Sequence, residues 1–143
     1  MPAETLRIVV DTNVIVSATM SYIRGRESPE TRCARSDHGQ GSDAALIGLL
    51  SDAIHVEYAR VLHYPKFQFD PALVDEWLEN VEELGLWVDP STRVTLADSN
   101  DEKFMECAID GGADYLITGN LKDFPPAPWI VNARQFLEEV FPS

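Results

Sequence analysis

Four short apolar runs, three of them followed by a stretch of helical character, set the strongest limit on what this chain can become. They are LRIVV (residues 6–10), AALIGLLS (44–51), DYLIT (114–118) and WIVN (129–132). Runs of this length without polar alternation suit strands covered on both faces. Between them lie segments with apolar residues at three- and four-residue spacing. SDAIHVEYARVLHYP (51–65) repeats Ile54, Tyr58, Val61 and Leu62, can be capped by Ser51 or Asp52, and stops at Pro65. DPALVDEWLENVEELGLWV (70–88) puts Leu73, Val74, Trp77, Leu78, Val81 and Leu84 in one stripe behind Asp70 as cap and Pro71 at the first helical position. DSNDEKFMECAIDGGA (98–113) starts acidic, carries Phe104, Met105, Ala108 and Ile109, and ends at Gly111-Gly112. NVIVSATM reads as a helix capped by Thr12 or Asn13, and ARQFLEEVF as a last helix; LWVDP and TRVTL have room for a short extended piece. Strand–helix alternation with short connections predicts an α/β domain with a mostly parallel central sheet, and 143 residues suit one domain, 1–143.

Parallel sheets bind ligands beyond the carboxyl ends of their strands. Acids gather at that edge. Asp11 ends the first run in IVVDTN, Asn120 and Asp123 follow DYLIT, and Asp98 and Asp101 open the helix before it. Glu57 rides the helix after AALIGLL. Taken singly, each has an ordinary reading as a cap, a loop residue or a solvated helix face. Taken together they pose an energetic problem, because carboxylates a few ångströms apart in a partly buried site repel by several kcal/mol. A hard divalent cation, Mg²⁺ or Mn²⁺, removes that repulsion and is commonly held by a couple of carboxylates plus water and phosphate oxygens. Such an ion can activate water and stabilise displacement at phosphorus.

Charge bears on the partner. With 24 acids against 11 Lys plus Arg, the net charge of -13 argues against a protein that binds nucleic acid by bulk attraction. It leaves open a metal-mediated route to nucleic acid, and it suits a basic protein partner. Cys33 and Cys107 are far apart and form no metal-binding spacing, so reduced thiols are expected. His38, His55 and His63 share no ligand spacing, and Trp77, Trp87 and Trp129 fit core or interface packing better than base stacking. No leader-like segment is evident and no apolar run approaches the ~20 residues of a membrane span, so a cytoplasmic protein is expected.

Three blocks, IVVDTNVIVSA, SDAIHVEYARVLHYPKF and DSNDEKFMECAIDGGADYLITGNLKDFP, resemble the PIN-domain family in order and spacing over roughly residues 6–140. Within it they look like the VapC branch, toxins of bacterial and archaeal toxin–antitoxin pairs. The resemblance implies a three-layer α/β/α sandwich and a Mg²⁺- or Mn²⁺-dependent endoribonuclease. It implies catalytic roles for Asp11, Glu57, Asp101 and Asn120, with metal held by Asp11, Glu57, Asp101 and Asp123, and with Asn13, Thr118 and Asp98 in support. Asn120 stands where the family often has an acid, which Asp123 would replace. A protein antitoxin with a basic segment and a homodimer are the implied partners, beside RNA; helices 51–63 and 70–86 could make the dimer face, and a plain monomer core would use the same residues. Arg24, Arg26, Arg32 and Arg35 lie in a polar, Gly-containing stretch (24–42) that reads either as a contact to RNA or to a partner, or as a solvated loop. Lys66 in HYPKF reads as a phosphate contact or as part of a helix-ending turn. Two other functions fit the same fold: a binding or assembly module weakened by Asn120, and a small metal-dependent phosphatase.

Overall fold

The computed structural model describes residues 4–23, 25, 29 and 44–142. Five strands form one sheet: β1 (Glu4–Val10), β2 (Ala44–Leu50), β3 (Leu86–Trp87), β4 (Tyr115–Ile117) and β5 (Ile130–Val131), in the order β3-β2-β1-β4-β5. Every pairing between them is parallel. The apolar runs fall at the centre, where Val9, Leu116 and Ile117 are fully buried. The described helices are α1 (Thr12–Ile23), α2 (Asp52–Leu62), α3 (Pro71–Leu84), α4 (Glu102–Gly111) and α5 (Ala133–Val140).

Chain direction sets the layers. From β1 the chain moves to β2 and then to β3, and from β3 it returns to β4 on the far side of β1. Right-handed crossovers therefore place α1, α2 and α3 on one face and α4 on the other. The packing agrees: α2 lies against both α1 and α3, while α4 lies on β1, β2 and β4. The result is the expected α/β/α sandwich. Because the chain leaves β1 in one direction and β4 in the other, a crevice opens between their carboxyl ends.

Local chemistry marks the helix ends. Ser51 Oγ accepts the Ile54 amide at 3.3 Å, Asp70 Oδ1 accepts that of Ala72 at 3.0 Å, and Asn132 with Gln135 closes a reciprocal box ahead of α5. Gly112, at φ 64°, ends α4 in the left-handed region open to glycine. Three expectations need correction. Thr12 and Asn13 lie inside α1 and do not cap it: the strand runs into the helix with no spacer, and the Asp11 carbonyl takes the first helical amide bonds, from Val14 at 3.0 Å and Ile15 at 3.4 Å. Leu84 is 71% exposed, because the stripe of α3 turns off the core before its end, and Leu73 lies at the stripe's margin. Ile109 on α4 is 43% exposed for the same geometric reason.

TRVTL forms no strand. Its amides are taken by a row of carboxylates four residues apart on α4. Asp110 accepts from the amides of Ser91 (2.6 Å) and Thr92 (2.8 Å) and from the Thr92 hydroxyl (2.5 Å). Glu106 accepts from Val94 at 3.0 Å and Glu102 from Leu96 at 3.0 Å. This seam fixes α4 against the segment that precedes it.

Candidate active site

The site starts from strand register. Ile8, Val9 and Val10 of β1 face Tyr115, Leu116 and Ile117 of β4, so the next pair is Asp11 and Thr118. The Asp11 amide completes the ladder by donating to the Ile117 carbonyl at 2.9 Å. Across that step the Thr118 hydroxyl donates to Asp11 Oδ2 at 2.8 Å, and the Asn120 amide donates back to Thr118 Oγ1 at 3.0 Å. Thr118 is fully buried and Asp11 is 5% exposed. Tyr58 of α2 donates its buried hydroxyl to the Val10 carbonyl. The end of β1 is thus held from β4 and from α2 together.

Asn13, the second residue of α1, accepts the Gly119 amide through Oδ1 at 3.2 Å. A Cβ at position 119 would stand 3.3 Å from that same oxygen, so glycine lets the two loops close on each other. Asp98 Oδ1 accepts the Asn100 amide at 2.9 Å and starts the turn Ser99–Asp101 that precedes α4. That turn delivers Asp101 to the crevice. Asp123 arrives from the short helical turn Leu121–Asp123, whose first amide-accepting carbonyl is that of Asn120.

Electrostatics show which of these groups crowd one another. Burial, above all, raises the carboxyl of Asp11, with hydrogen bonds from Thr118 and nearby amides opposing and the charge of Glu57 adding to the rise. Asp101 is raised to about 6, first by burial and then by the charges of Asp11, Asp98 and Asp123; Lys103 opposes weakly. Its Oδ2 is buried without a hydrogen-bond partner. A buried carboxylate oxygen with no donor is costly. A hard cation is the chemical class that satisfies such an oxygen among further carboxylates.

Glu57 is placed differently. Its Oε2 accepts the Thr12 hydroxyl at 2.5 Å, and its Oε1 accepts Lys103 Nζ at 2.7 Å, with Arg60 Nη2 3.7 Å away. Both oxygens are occupied within the protein. Accordingly, among the described residues, no three Asp, Glu, His or Cys side chains stand as a ready-made metal cage. The structure brings Asp11, Asp98 and Asp123 within electrostatic reach of Asp101, sets Glu57 within reach of Asp11, and leaves Asn120 exposed at the rim. Lys103 was not foreseen. Its signal was its place on the first turn of the helix that Asp101 introduces.

The remaining candidates lie apart. Lys66 is on the turn after α2. Arg24, Arg26, Arg32, Arg35, Cys33 and His38 fall outside the described residues. His55 stands 2.9 Å from Glu82 and His63 3.0 Å from Asp75, both away from the crevice. Trp77 and Trp129 pack on the core, while Trp87 is 44% exposed. No described helix is long and apolar enough to cross a membrane.

Comparison with known families returns one match: the model of a family described as PIN domain, over residues 7–122. No curated protein and no solved structure matches the chain.

Proposed function

The chain belongs to the PIN-domain family, whose members are generally nucleases, and on that footing we propose that it is a divalent-metal-dependent endoribonuclease. One observation carries the metal dependence: Asp101 keeps a buried, unpartnered carboxylate oxygen in a crevice where the charges of Asp11, Asp98 and Asp123 already bear on it. Asp11 and Asp101 would hold the ion, with Asp123 as a further donor and Asn120 at the rim. When bound, Mg²⁺ or Mn²⁺ supplies Lewis acidity toward a phosphodiester oxygen and lowers the pKa of water.

The chain's own residues do the positioning. Thr118 holds Asp11 Oδ2, which aims the other oxygen. The Ile117 and Val10 bonds fix the strand end, so little reorganisation is needed when substrate arrives. Asn13 and Gly119 clasp the loops on either side of the crevice. Glu57, with both oxygens engaged, orients Thr12 and Lys103, and would be a further donor to the ion once free of Lys103.

We further read the protein as a single domain over 1–143, cytoplasmic, and the toxin of a toxin–antitoxin pair, silenced by a partner whose basic segment answers the net charge of -13. A groove of about 270 Å³ between α1 and α3, lined by Ile15, Ala18, Tyr22, Leu73 and Trp77, is the face we assign to a homodimer. The test is cleavage of a fluorophore–quencher single-stranded RNA with Mn²⁺, with EDTA, and with the Asp11→Asn variant. Cleavage only by wild type with metal supports the reading; metal-independent cleavage, or an Asp11→Asn variant as active as wild type, sinks it. The engagement of both Glu57 oxygens favours a second reading, a binding module without turnover, which predicts Mn²⁺ binding and no cleavage.

A further inference from the structure

The acids explain how a phosphodiester could be cut, but not how an RNA strand approaches a chain of net charge -13. The helix that carries Glu57, and the turn after it, supply cations. Glu57 and Arg60 share a face of α2 at three-residue spacing, and Tyr64, two residues past the helix end, extends that face into the turn Pro65–Phe67. Arg60 bridges the two ends of that face: its Nη2 is 3.7 Å from Glu57 Oε1, its Nη1 donates to the Tyr64 hydroxyl, and its guanidinium lies 5.7 Å from the Tyr64 ring centre.

Beyond Arg60 the aromatics form a column. Tyr64 and Phe67 are near-parallel at 6.2 Å and 18°, and Phe67 and Phe69 at 5.4 Å and 14°. Phe69 anchors the column on the core, while Tyr64 and Phe67 are half-buried. Gln68 makes the alignment possible. It is the one non-glycine residue with positive φ (54°) among the described residues, and this left-handed step lets Phe67 and Phe69 stack. Lys66 lies 5.2 Å from the Phe67 ring and 5.9 Å from the Tyr64 ring, and its side chain is exposed. Tyr64 is seven residues past Glu57 and joined to it through Arg60. Aromatic faces interleaved with cations on a polar surface are the chemistry of single-stranded nucleic acid binding, in which bases stack and phosphates meet Lys or Arg.

We propose that Arg60, Tyr64, Lys66 and Phe67 form a subsite that binds single-stranded RNA and leads it past Glu57 to the acids. This inference rests on the nuclease reading for the identity of its ligand. Arg60 and Lys66 take the phosphates, Tyr64 at the outer end of the column meets an unpaired base, and Phe67 backs the Tyr64 ring.

The test uses the full chain carrying Asp11→Asn, in EDTA, with a fluorescein-labelled ten-nucleotide oligouridylate read by anisotropy across a salt series. Arg60→Gln with Lys66→Gln should weaken binding about tenfold and flatten the salt dependence by about 1.4 logarithmic units per decade, the share of two phosphate contacts on a single strand. Tyr64→Leu and Phe67→Leu keep apolar bulk but lose the π face; each should weaken binding several-fold and leave the salt slope alone. The same strand annealed to oligoadenylate, its bases already stacked, should bind more weakly than the free strand. Melting temperatures check that each variant folds, and the two surface-charge changes keep the test open should an aromatic variant unfold. Unchanged affinity and slope in the charge variant, or equal binding of duplex and single strand, overturns the subsite. Binding that depends on the column in a protein that never cleaves RNA with Mn²⁺ overturns the nuclease reading and leaves the subsite standing; cleavage by wild type with normal binding by every variant does the reverse.

Discussion

Two groups of acids sit on the same short helix and meet opposite fates. Along α4, Glu102, Glu106 and Asp110 each accept amide hydrogens from residues 91–96, and the Thr92 hydroxyl, with the Thr92 and Ser91 amides, holds the carboxyl of Asp110 below the usual carboxylate range. At the helix's leading end, Asp101 has a buried oxygen with no donor and a carboxyl raised to about 6. The two sets share residue type and element and differ in partners. Donors turn a carboxylate into a fastener, and their absence leaves it in want of a cation.

The sharpest way to test the cation that Asp101 calls for is Asp11→Asn, which removes the more buried of the two carboxylates assigned to the ion. We expect RNA cleavage to fall about 10²- to 10³-fold in single-turnover assays, with the fold intact by circular dichroism. A variant that cleaves normally would mean the two sets are functionally alike. Next in size is Lys103→Met. Removing an ammonium that holds Glu57 and opposes a nearby dication should tighten Mn²⁺ about tenfold by calorimetry; unchanged or weaker binding would show that Lys103 helps hold Glu57 in place for the metal.

Acidity separates the sets further. Asp101 keeps its proton to about pH 6 when folded but loses it near 3.8 when unfolded. Its contribution is therefore full below about 3.8 and is lost as pH rises through 6. In EDTA, the melting temperature of Asp101→Asn should gain on wild type between pH 4 and pH 7. Saturating Mn²⁺, at a hundred times its Kd, should return about 2.7 kcal/mol to wild type at pH 7.5 and much less at pH 5, where protons compete. A gap that stays flat with pH would contradict the assigned crowding. The smallest effect is expected at the seam. Asp110→Asn should lower the melting temperature at pH 7, and the loss should fade as acid protonates Asp110 below its ordinary 3.8.

Much of this architecture was legible in the amino-acid order. Continuous apolar runs located the central strands because parallel strands are buried on both faces and need no alternation. Asp11 and Asn120 could be placed at the same edge because each comes at or just past the end of such a run. Side-chain partnership was not legible. Val94 and Leu96 alternate like a strand, yet their amides are met by carboxylates from a helix 12 and 6 residues away, which periodicity does not register. Glu57 was taken to face the other acids because its helix faces them; the presence of Thr12 and Lys103 within bonding distance depends on how two crossovers pack. The helix-ending turn at HYPKF was visible, but the column of rings it builds depends on the left-handed Gln68, and glutamine gives no warning of that conformation.

Helix α4 also works as a spacer of fixed phase. Asp101 at its head and Asp110 near its tail are read by different neighbours, the crevice and the segment 91–96. An α-helix advances about 100° per residue. Inserting or deleting one residue between them would swing one set of carboxylates away from its neighbours while the other stayed put. Substitutions along α4 can be absorbed one at a time, whereas a change in its length cannot, so gaps should be far rarer than replacements wherever this stretch is inherited.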